Sequence, residues 1–332
     1  MRKLNWGVLG TGRIVEKGGT AITRAENSRW IGIAGRNAEN SKKAAEKYGL
    51  SKVYESYDQL LADPEIDAVY IALLNHLHHE WTIKAIRAGK HVLLEKPFAL
   101  NAQEAEGIHE EAQKHNIQVM EAHVWHYHPG YEWARTKIKE GKIGEVGIFR
   151  SSFHFHLAEG STRWVREWGG GCLYDIGCYP VVWSRYFIGE EPIAAECSLA
   201  MHEEYGVDRR FSGTLYYPGN KTAQLSAAFD LTGGTSFEIV GSAGTMRFYN
   251  KVTPDRMENI IELNSDKDGS ETKTWVTDRI EPFKEQVEAF AEAVLEGKPT
   301  PRGSEEGVIH MRILDALFEA DRLGRRVELK LK

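Results

Sequence analysis

The chain has 332 residues, enough for about two domains, and its 42% apolar and 27% charged residues are ordinary for a globular protein. Its net charge of −6, with both signs mixed along the chain, argues against nucleic acid or an anionic membrane surface as a partner. Three cysteines without a Cys-x-x-Cys pair, no signal-like start and no run of ~18 apolar residues together predict a cytoplasmic protein.

Residues 1–122 alternate between short apolar runs and helical patterns. Runs at 4–9, 30–34, 68–73, 91–94 and 118–121 predict strands that are covered on both faces. Helices are predicted between them at 14–24, 38–48, 57–62, 81–88 and 102–115, with C-caps at Gly49, Gly89 and Asn116. This alternation favours a parallel sheet with right-handed crossovers, which we assign to a first domain of residues 1–122.

The pattern changes after residue 123. A helix at 132–140 precedes a predicted hairpin at 213–229, which turns at Pro218-Gly219-Asn220. Further strands are predicted at 236–240, 245–249 and 260–263, and helices at 283–295 and 305–323. We therefore expect a second domain of residues 123–332, built on an antiparallel sheet backed by helices. An uncovered apolar face of that sheet would favour association into oligomers.

A glycine-containing loop, Gly10-Thr11-Gly12-Arg13-Ile14, follows the first strand and begins a helix. Glycines there allow a tight turn and let backbone N–H groups approach a pyrophosphate at the helix N-terminus. Val15 stands where the dinucleotide-binding fingerprint has its third small residue. The strand–turn–helix context predicts dinucleotide binding, and an ordinary turn between strand and helix is the alternative.

The second strand ends at Ala34-Gly35-Arg36. An acidic residue at this place would bind the ribose hydroxyls of NAD, whereas the planar guanidinium of Arg36 suits a 2′-phosphate. The sequence therefore predicts a preference for NADP, with NAD also possible as cofactor. A solvated arginine at the start of a helix is the alternative.

Glu95-Lys96-Pro97 directly follows the strand at 91–94. Ligands of a doubly wound sheet bind beyond the carboxyl ends of its strands, so Lys96 lies at a candidate site. Side chains alternate along a strand, so Glu95 and Lys96 should point in different directions. The sequence is compatible with a cis peptide bond between Lys96 and Pro97.

A second group of candidate residues follows the glycines at 169–171, where Asp175 and Tyr179 share one face of a predicted helix. Pro180 would either kink this helix or lie in its first turn. A nearby lysine would help Tyr179 to act as acid or base towards a hydroxyl group, and Asp175 would orient the substrate. The alternative for Tyr179 alone is a core aromatic on an amphipathic helix.

Six segments together resemble the glucose–fructose oxidoreductase, inositol dehydrogenase and MocA (Gfo/Idh/MocA) family over essentially the whole chain. They are GTGRI at 10–14, AGR at 34–36, NHLHH at 75–79, EKP at 95–97, EAHVWHYHP at 121–129 and GGGCLYDIGCY at 169–179. The resemblance implies a Rossmann domain followed by an α+β domain with a large, open, mostly antiparallel sheet. That sheet often forms the dimer interface, so a homodimer or homotetramer is expected.

The resemblance also implies roles for individual residues. Lys96 would contact nicotinamide and substrate, and Glu95 the nicotinamide ribose. Further cofactor contacts are implied for Leu73, Asn75, His78, Trp125, Arg163 and Trp164. Tyr179 stands where many members have histidine, which is similar to the branch with dihydrodiol dehydrogenase and xylose dehydrogenase. His126 lies in a segment where the family often has arginine.

The expected activity is hydride transfer between a nicotinamide cofactor and a sugar, polyol or cyclic diol, with Lys96, Asp175 and Tyr179 as catalytic residues. Two alternatives stay open: a glycosidase that uses tightly bound NAD, and a sugar-responsive regulator without catalysis. His154 and His156 share a strand face, but no carboxylate or cysteine completes a known ligand spacing, so no metal is expected.

Overall fold

The computed structural model describes residues 2–252 and 257–331. The chain forms two compact units. The first comprises Met1–Tyr127 and Glu281–Met311, and the second comprises His128–Ile280 and Arg312–Lys332. The expected single boundary at 122/123 lies near the first crossing, but the structure groups residues 281–311 with the first unit.

The first unit contains a six-stranded parallel sheet with the order β3-β2-β1-β4-β5-β6. Its strands are β1 (Leu4–Leu9), β2 (Ser28–Ala34), β3 (Lys52–Tyr54), β4 (Ala68–Ile71), β5 (His91–Leu94) and β6 (Val119–Glu121). The intervening helices are α1 (Ile14–Arg24), α2 (Ala38–Tyr48), α3 (Tyr57–Ala62), α4 (His78–Arg87) and α5 (Ala102–His115). The predicted parallel α/β architecture is confirmed.

Local capping explains why several helices begin and end at the predicted residues. Side chains of Asn37, Ser56 and Asn101 accept the backbone N–H three residues later and so start α2, α3 and α5. The predicted C-cap residues Gly49, Gly89 and Asn116 all have positive φ. In contrast, α4 begins at His78, three residues before the predicted start, because a 3₁₀ turn at Asn75–Leu77 leads into it.

The second unit contains a nine-stranded sheet with the order β14-β13-β12-β11-β7-β10-β9-β8-β15. Its strands are β7 (Val146–His156), β8 (Ala194–Met201), β9 (Asp208–Tyr216), β10 (Thr222–Ala228), β11 (Asp230–Gly241), β12 (Gly244–Val252), β13 (Met257–Ser265), β14 (Gly269–Val276) and β15 (Val327–Glu328). The pair β7–β10 is parallel and the other recorded pairs are antiparallel. The expected large, mostly antiparallel sheet is confirmed, and the predicted hairpin corresponds to β9 and β10.

The two faces of this sheet differ in character. One face is apolar and packs on helix α7 (Cys178–Ile188), where Phe149 and Phe237 contact Phe187 with ring centroids 6.1 and 4.7 Å apart. The other face carries polar side chains, among which Arg150 bonds Gln224 at 3.1 Å and Glu238 at 2.7 Å. The expectation of an uncovered apolar face is therefore wrong, because the outward positions of these strands are occupied by charged and hydroxyl side chains.

Three further helices complete the fold: α6 (Pro129–Lys139), α8 (Pro282–Glu296) and α9 (Ser304–Leu323). Helix α8 packs against the first unit, where Phe290 lies 5.2 Å from the ring of Trp6 and the Glu288 carbonyl accepts from Asn27 at 2.8 Å. These contacts explain why residues 281–311 join that unit. Within the described residues, no helix is both long and apolar enough to cross a membrane.

Candidate active site

The loop after β1 has the geometry of a phosphate cradle. Gly10 has φ +111°, and a Cβ there would lie 2.4 Å from the carbonyl oxygen of Ala72, so a side chain is excluded. Space around Gly12 is open, and α1 begins two residues later at Ile14. The loop therefore offers open backbone at the positive end of a helix, which fits a dinucleotide pyrophosphate.

Close packing between α1 and the sheet depends on two glycines that were not singled out from the sequence. A Cβ on Gly18 would lie 2.3 Å from the ring of Tyr70, and one on Gly19 would lie 2.3 Å from Trp30. Val15, at the departing position of the fingerprint, is buried at 3% exposure. A small residue at position 15 would let α1 approach the sheet closely. In this chain Gly18 and Gly19, one turn further along α1, allow that approach.

Arg36 lies beside the phosphate loop. It is exposed at the end of β2, and the preceding Gly35 sits so close to Thr11 that a Cβ would lie 2.7 Å from the threonine methyl group. A guanidinium at this point is accessible to a group bound on the loop. Its position fits an adenine ribose with or without a 2′-phosphate.

His78 joins two loops at the carboxyl edge of the sheet. Its side chain is fully buried, with Nδ1 at 2.8 Å from the Pro97 carbonyl oxygen and Nε2 at 3.2 Å from that of Leu73. Burial lowers the pKa of His78, so the neutral ring donates from one nitrogen, and the shorter contact indicates Nδ1. The bond from Nδ1 to the Pro97 carbonyl thus fixes the backbone that carries Lys96.

Glu95 and Lys96 differ in environment, as the alternation along a strand predicts. Glu95 is buried and accepts a hydrogen bond from the Tyr70 hydroxyl, whereas Lys96 is half-buried. Burial raises the pKa of Glu95, and the bond from Tyr70 and the charge of Lys96 oppose that rise. The peptide bond between Lys96 and Pro97 is cis.

Glu121, at the end of β6, lies in a buried polar cluster. Nδ1 of His310, on α9, donates to its two carboxylate oxygens at 3.2 and 3.0 Å, and Nε2 of His123 lies 3.3 Å away. Burial raises the pKa of Glu121, but His123 and His310 lower it by more, so the carboxylate is ionised. Sequence reasoning did not identify this cluster, because His310 is 189 residues from Glu121.

The ligand atoms of Glu121, His123 and His310 lie within 4.8 Å of one another, which is close enough for a metal ion. In the described part of the chain this is the one such group of three residues. Its Nδ1–oxygen distances of 3.0 and 3.2 Å are those of hydrogen bonds. The earlier candidates differ: His154 contacts Ser226 and His156 contacts Thr232.

In the second unit, Asp175 and Tyr179 lie on one continuous helical segment. A π-helical turn at Leu173–Gly177 leads into α7, and Pro180 lies just after this turn, where it has no N–H to donate to the preceding turn. Asp175 is 8% exposed, and its Oδ2 lies 2.9 Å from Nε of Arg163. Arg163, which is predicted to bind the cofactor, therefore forms an ion pair with Asp175, the predicted catalytic carboxylate.

Tyr179 is half-buried in an aromatic surround. Its ring lies 5.5 Å from Phe153, on β7, and 5.8 Å from Trp183, one turn along α7. These neighbours keep the ring in place through packing. The phenol is thus carried by a rigid helix rather than by a loop.

Asp208, the first residue of β9, was not predicted as a site residue. Its carboxylate accepts the backbone N–H of Leu173 at 2.6 Å, at the start of the π-helical turn. Gly171 lies so close that a Cβ would meet Asp208 Oδ1 at 2.2 Å. Burial raises the pKa of Asp208 to about 6, with the backbone donors opposing the rise.

Two tryptophans with implied cofactor contacts are largely buried. Trp125 is 6% exposed and its ring centroid is 3.5 Å from that of His126. Trp164 is also 6% exposed, donates from Nε1 to the Ala158 carbonyl at 3.1 Å and stacks on Tyr205. These contacts pack each ring within its own unit.

The predicted residues fall into two groups. The first unit carries the phosphate loop, Arg36, Leu73, Asn75, His78, Glu95, Lys96 and Trp125. The second carries Arg163, Trp164, Asp175 and Tyr179. The first group provides an anion cradle with a lysine on the same sheet edge, and the second provides a carboxylate with a phenol.

Known proteins resemble this chain along its whole length. Residues 4–123 match the oxidoreductase family with an NAD-binding Rossmann fold, and residues 131–247 match the GFO/IDH/MocA C-terminal domain. D-xylose 1-dehydrogenase (NADP(+)) 2 of Haloferax volcanii is 33% identical over 336 residues, covering 98% of this chain and 99% of that protein.

Two further similarities have the same character. Trans-1,2-dihydrobenzene-1,2-diol dehydrogenase of Xenopus tropicalis is 32% identical over 245 residues, covering 73% of this chain and 74% of that protein. The crystal structure of a 3-ketoreductase from Actinomadura kijaniata, in complex with NADP and TDP-benzene, superposes with a TM-score of 0.88. It is 28% identical and the match covers 96% of this chain and 98% of that chain.

Proposed function

Since this chain belongs to the Gfo/Idh/MocA family of oxidoreductases, which act on sugars or diols with NAD(P), we propose that it is an NADP-preferring dehydrogenase or reductase. It would transfer hydride between the nicotinamide and a CH–OH group of a sugar, polyol or cyclic diol. Lys96, Asp175 and Tyr179 would carry the chemistry.

One observation carries this proposal: the phosphate loop and Lys96 leave the sheet at the same edge. Strand β4 lies between β1 and β5, and the register pairs Leu9 with Ile71 and Ile71 with Leu94. Gly10 and Glu95 therefore follow the same row of residues, about 10 Å apart at a strand spacing of ~4.8 Å. A dinucleotide held by its pyrophosphate on the loop would extend along this edge past Lys96.

A nicotinamide bound there would supply or accept the hydride. Lys96 is proposed to hold the reacting oxygen of the substrate through its ammonium group. A positive charge at this position stabilises the negative charge that develops on that oxygen as hydride is transferred. The cis peptide and the His78 bond to the Pro97 carbonyl fix the backbone from which Lys96 extends.

Tyr179 is proposed to remove or return the hydroxyl proton. A phenol with an ordinary pKa of ~10 costs about 4 kcal/mol to ionise at pH 7. An ammonium at ~4 Å, at an effective dielectric constant of ~20, returns about 4 kcal/mol. One lysine at that distance is therefore sufficient to make a tyrosine a usable base.

Asp175 is proposed to orient the substrate through its hydroxyl groups. The ion pair with Arg163 at 2.9 Å orients the carboxylate, and an ionised carboxylate has about four acceptor sites. Arg163 therefore positions Asp175 and would also lie near a bound substrate. This role differs from the direct cofactor contact that the resemblance implies.

NADP preference is proposed on the basis of Arg36. Its guanidinium is exposed beside the phosphate loop, and the sequence has no acidic residue at the end of β2, between Ala34 and Asn37, to bind a ribose diol. A 2′-phosphate would form a charge-assisted pair with Arg36. The NADP-dependent xylose dehydrogenase similarity supports this choice.

A substrate panel tests the proposed function. Purified protein is mixed with aldoses, inositols, anhydro sugars and diols, each with NADP or NAD, and absorbance of the reduced nucleotide is followed. We expect net NADPH formation with at least one substrate. Cleavage of a glycoside without net NADPH would favour the glycosidase instead, and NADPH binding without any turnover would favour a regulator.

We further propose association into a homodimer or homotetramer through the outer face of the nine-stranded sheet. That face carries an ion-pair row, Arg150–Glu238–Arg247, at 2.7 Å for each contact. Because both arginines are exposed, such an interface would be polar and salt-sensitive. A single monomeric species in sedimentation at micromolar concentration and low salt would contradict it.

A further inference from the structure

Glu121 is an ionised carboxylate in the interior of the first unit. It is 7% exposed, and its hydrogen-bond donor His310 is 1% exposed. A buried charge is costly unless an opposite charge or strong hydrogen bonds compensate it. His310 supplies hydrogen bonds to Glu121, and burial lowers the pKa of His123. A positive charge nearby would balance Glu121.

Lys96 is placed to supply that charge. Residue Leu94 of β5 pairs in register with Glu121 of β6, so Lys96 follows two residues beyond the neighbour of Glu121. The charges of both Lys96 and Glu121 act on the pKa of His78 and on that of Glu95. The register therefore places the two residues on neighbouring strands, at the same edge of the sheet.

Helix α9 contacts both the loop that carries Lys96 and the carboxylate of Glu121. Gly307 packs on Phe98, two residues after Lys96, so closely that a Cβ would lie 2.4 Å from the ring. His310 lies one turn further along the same helix and donates to Glu121. The same helix therefore sets the position of the loop that carries Lys96 and the orientation of the carboxylate beside it.

The two buried carboxyl groups near Lys96 are unequal. Glu95 is bonded by a neutral phenol, and burial raises its pKa. Glu121 has two histidines, which lower its pKa below the ordinary range despite burial. The pKa values of the two carboxyl groups are therefore shifted in opposite directions. The titratable groups that influence one another around Glu121 are Tyr70, His78, Glu95, Lys96, Glu121, His123 and His310.

We propose that Glu121, fixed by His310 and His123, is a positioning residue that supplies the negative charge against which the Lys96 ammonium is held. The effect of Glu121 on the titration of Lys96 does not depend on the proposed function. Only the expected effect on turnover rests on the proposed function.

A metal centre is a poorer account of the same residues. Metal-bound histidine normally donates its other ring N–H to a second partner. Within the described residues, Nε2 of His310 is buried and makes no hydrogen bond. The contacts of Nδ1 with both oxygens of Glu121 instead have the geometry of hydrogen bonds.

The test measures the titration of Lys96 directly. Lysines are reductively methylated with ¹³C, and the Lys96 signal is assigned by its absence in Lys96→Arg. In Glu121→Gln, a neutral replacement of equal shape, we expect the midpoint to move to lower pH by about one unit, because loss of an opposite charge disfavours the ammonium. The basic limb of kcat/KM should move in the same direction.

Glu111→Gln is the matched control. Glu111 also pairs with a histidine, His115, at 3.3 Å, but it lies on the surface helix α5. We expect no movement of the Lys96 midpoint in this variant. An unmoved midpoint in folded Glu121→Gln overturns the inference whatever the activity. A moved midpoint with an unmoved kcat/KM profile supports the inference and contradicts the catalytic role of Lys96.

Variants of His310 keep the inference open to refutation if Glu121→Gln does not fold. Asparagine keeps a donor near the place of Nδ1, whereas leucine removes it. His310→Asn should retain the wild-type Lys96 midpoint, and His310→Leu should lower it. Equal midpoints in both variants and wild type, or one tightly bound metal ion per wild-type chain in elemental analysis, would overturn the inference.

Discussion

The carboxylate of Asp208 accepts the backbone N–H of Leu173 at 2.6 Å, which ties the start of β9 to the turn that carries Asp175. The N–H of Cys172 is also bonded to this carboxylate. A helix start inside a protein needs such acceptors, because its first N–H groups have no partner within the helix. Asp208 therefore fixes where the segment with Asp175 and Tyr179 begins.

Replacing Asp208 by alanine should destabilise the protein. Each buried N–H left without an acceptor costs about 1–3 kcal/mol, so the free energy of unfolding should fall by about 2 kcal/mol or more. Chemical denaturation followed by fluorescence measures this change. Asp268→Ala is the control, since that aspartate is 53% exposed beside Lys142, and it should change stability by less than about 0.5 kcal/mol. Equal effects would contradict the capping role.

The stability contributed by Asp208 should depend on pH. Burial raises the pKa of Asp208 to about 6 in the folded state, above the ordinary aspartate value of 3.8, so the folded protein binds the proton more tightly. This stabilisation is present at low pH and is lost as pH rises through 6. Relative to Asp208→Asn, the wild type should gain about 1 kcal/mol between pH 8 and pH 5. A pH-independent difference between the two proteins would refute this assignment.

Local sequence signals were sufficient for much of the fold. Helices α1, α2, α3 and α5 have the bounds predicted from periodicity. The signals for these bounds are local, because the apolar face and the residues that end each helix lie in or next to it in the sequence. Strand β14 was missed because its side chains are mostly exposed and backbone pairing with β13 holds it in place. Strand β3 was missed because its three residues are too few to show a pattern.

The site could be predicted from the sequence where reactive or ligand-binding residues directly follow a strand. The phosphate loop and Glu-Lys-Pro each follow an apolar strand, so both could be placed at the carboxyl edge from the sequence. Asp208 and His310 could not be found in this way, because they act on residues 35 and 189 positions away. Such partners become visible only when the sheet register and the return of α9 are known.

Arg163→Ala should lower kcat by about 10-fold, because Asp175 loses the guanidinium that orients it at 2.9 Å. Arg163→Lys keeps the charge without the planar fork and should fall between alanine and wild type. Steady-state kinetics with the best substrate from the panel gives kcat and KM. A loss confined to NADP affinity would instead support the direct cofactor contact implied by the family resemblance.

Lys96→Ala and Tyr179→Phe should each lower turnover by about 10²-fold or more, because each removes a group proposed to act in proton transfer. Cofactor binding, followed by NADPH fluorescence, should persist in Tyr179→Phe. Lys84→Ala and Tyr186→Phe are the controls: Lys84 is exposed on α4, and Tyr186 lies on α7 with its hydroxyl on Glu132. Near-normal kcat in both site variants would remove the proposed mechanism.

Arg36→Asp should weaken NADP by about 10- to 100-fold while leaving NAD little changed, because a charge-assisted bond to the 2′-phosphate becomes a repulsion. The ratio of kcat/KM for the two nucleotides measures the effect. Arg29→Asp makes the same charge change at an exposed position on the same strand, so it separates a local contact from a general loss of positive potential. If Arg36→Asp weakens NADP and NAD equally, or matches Arg29→Asp, Arg36 does not read the 2′-phosphate.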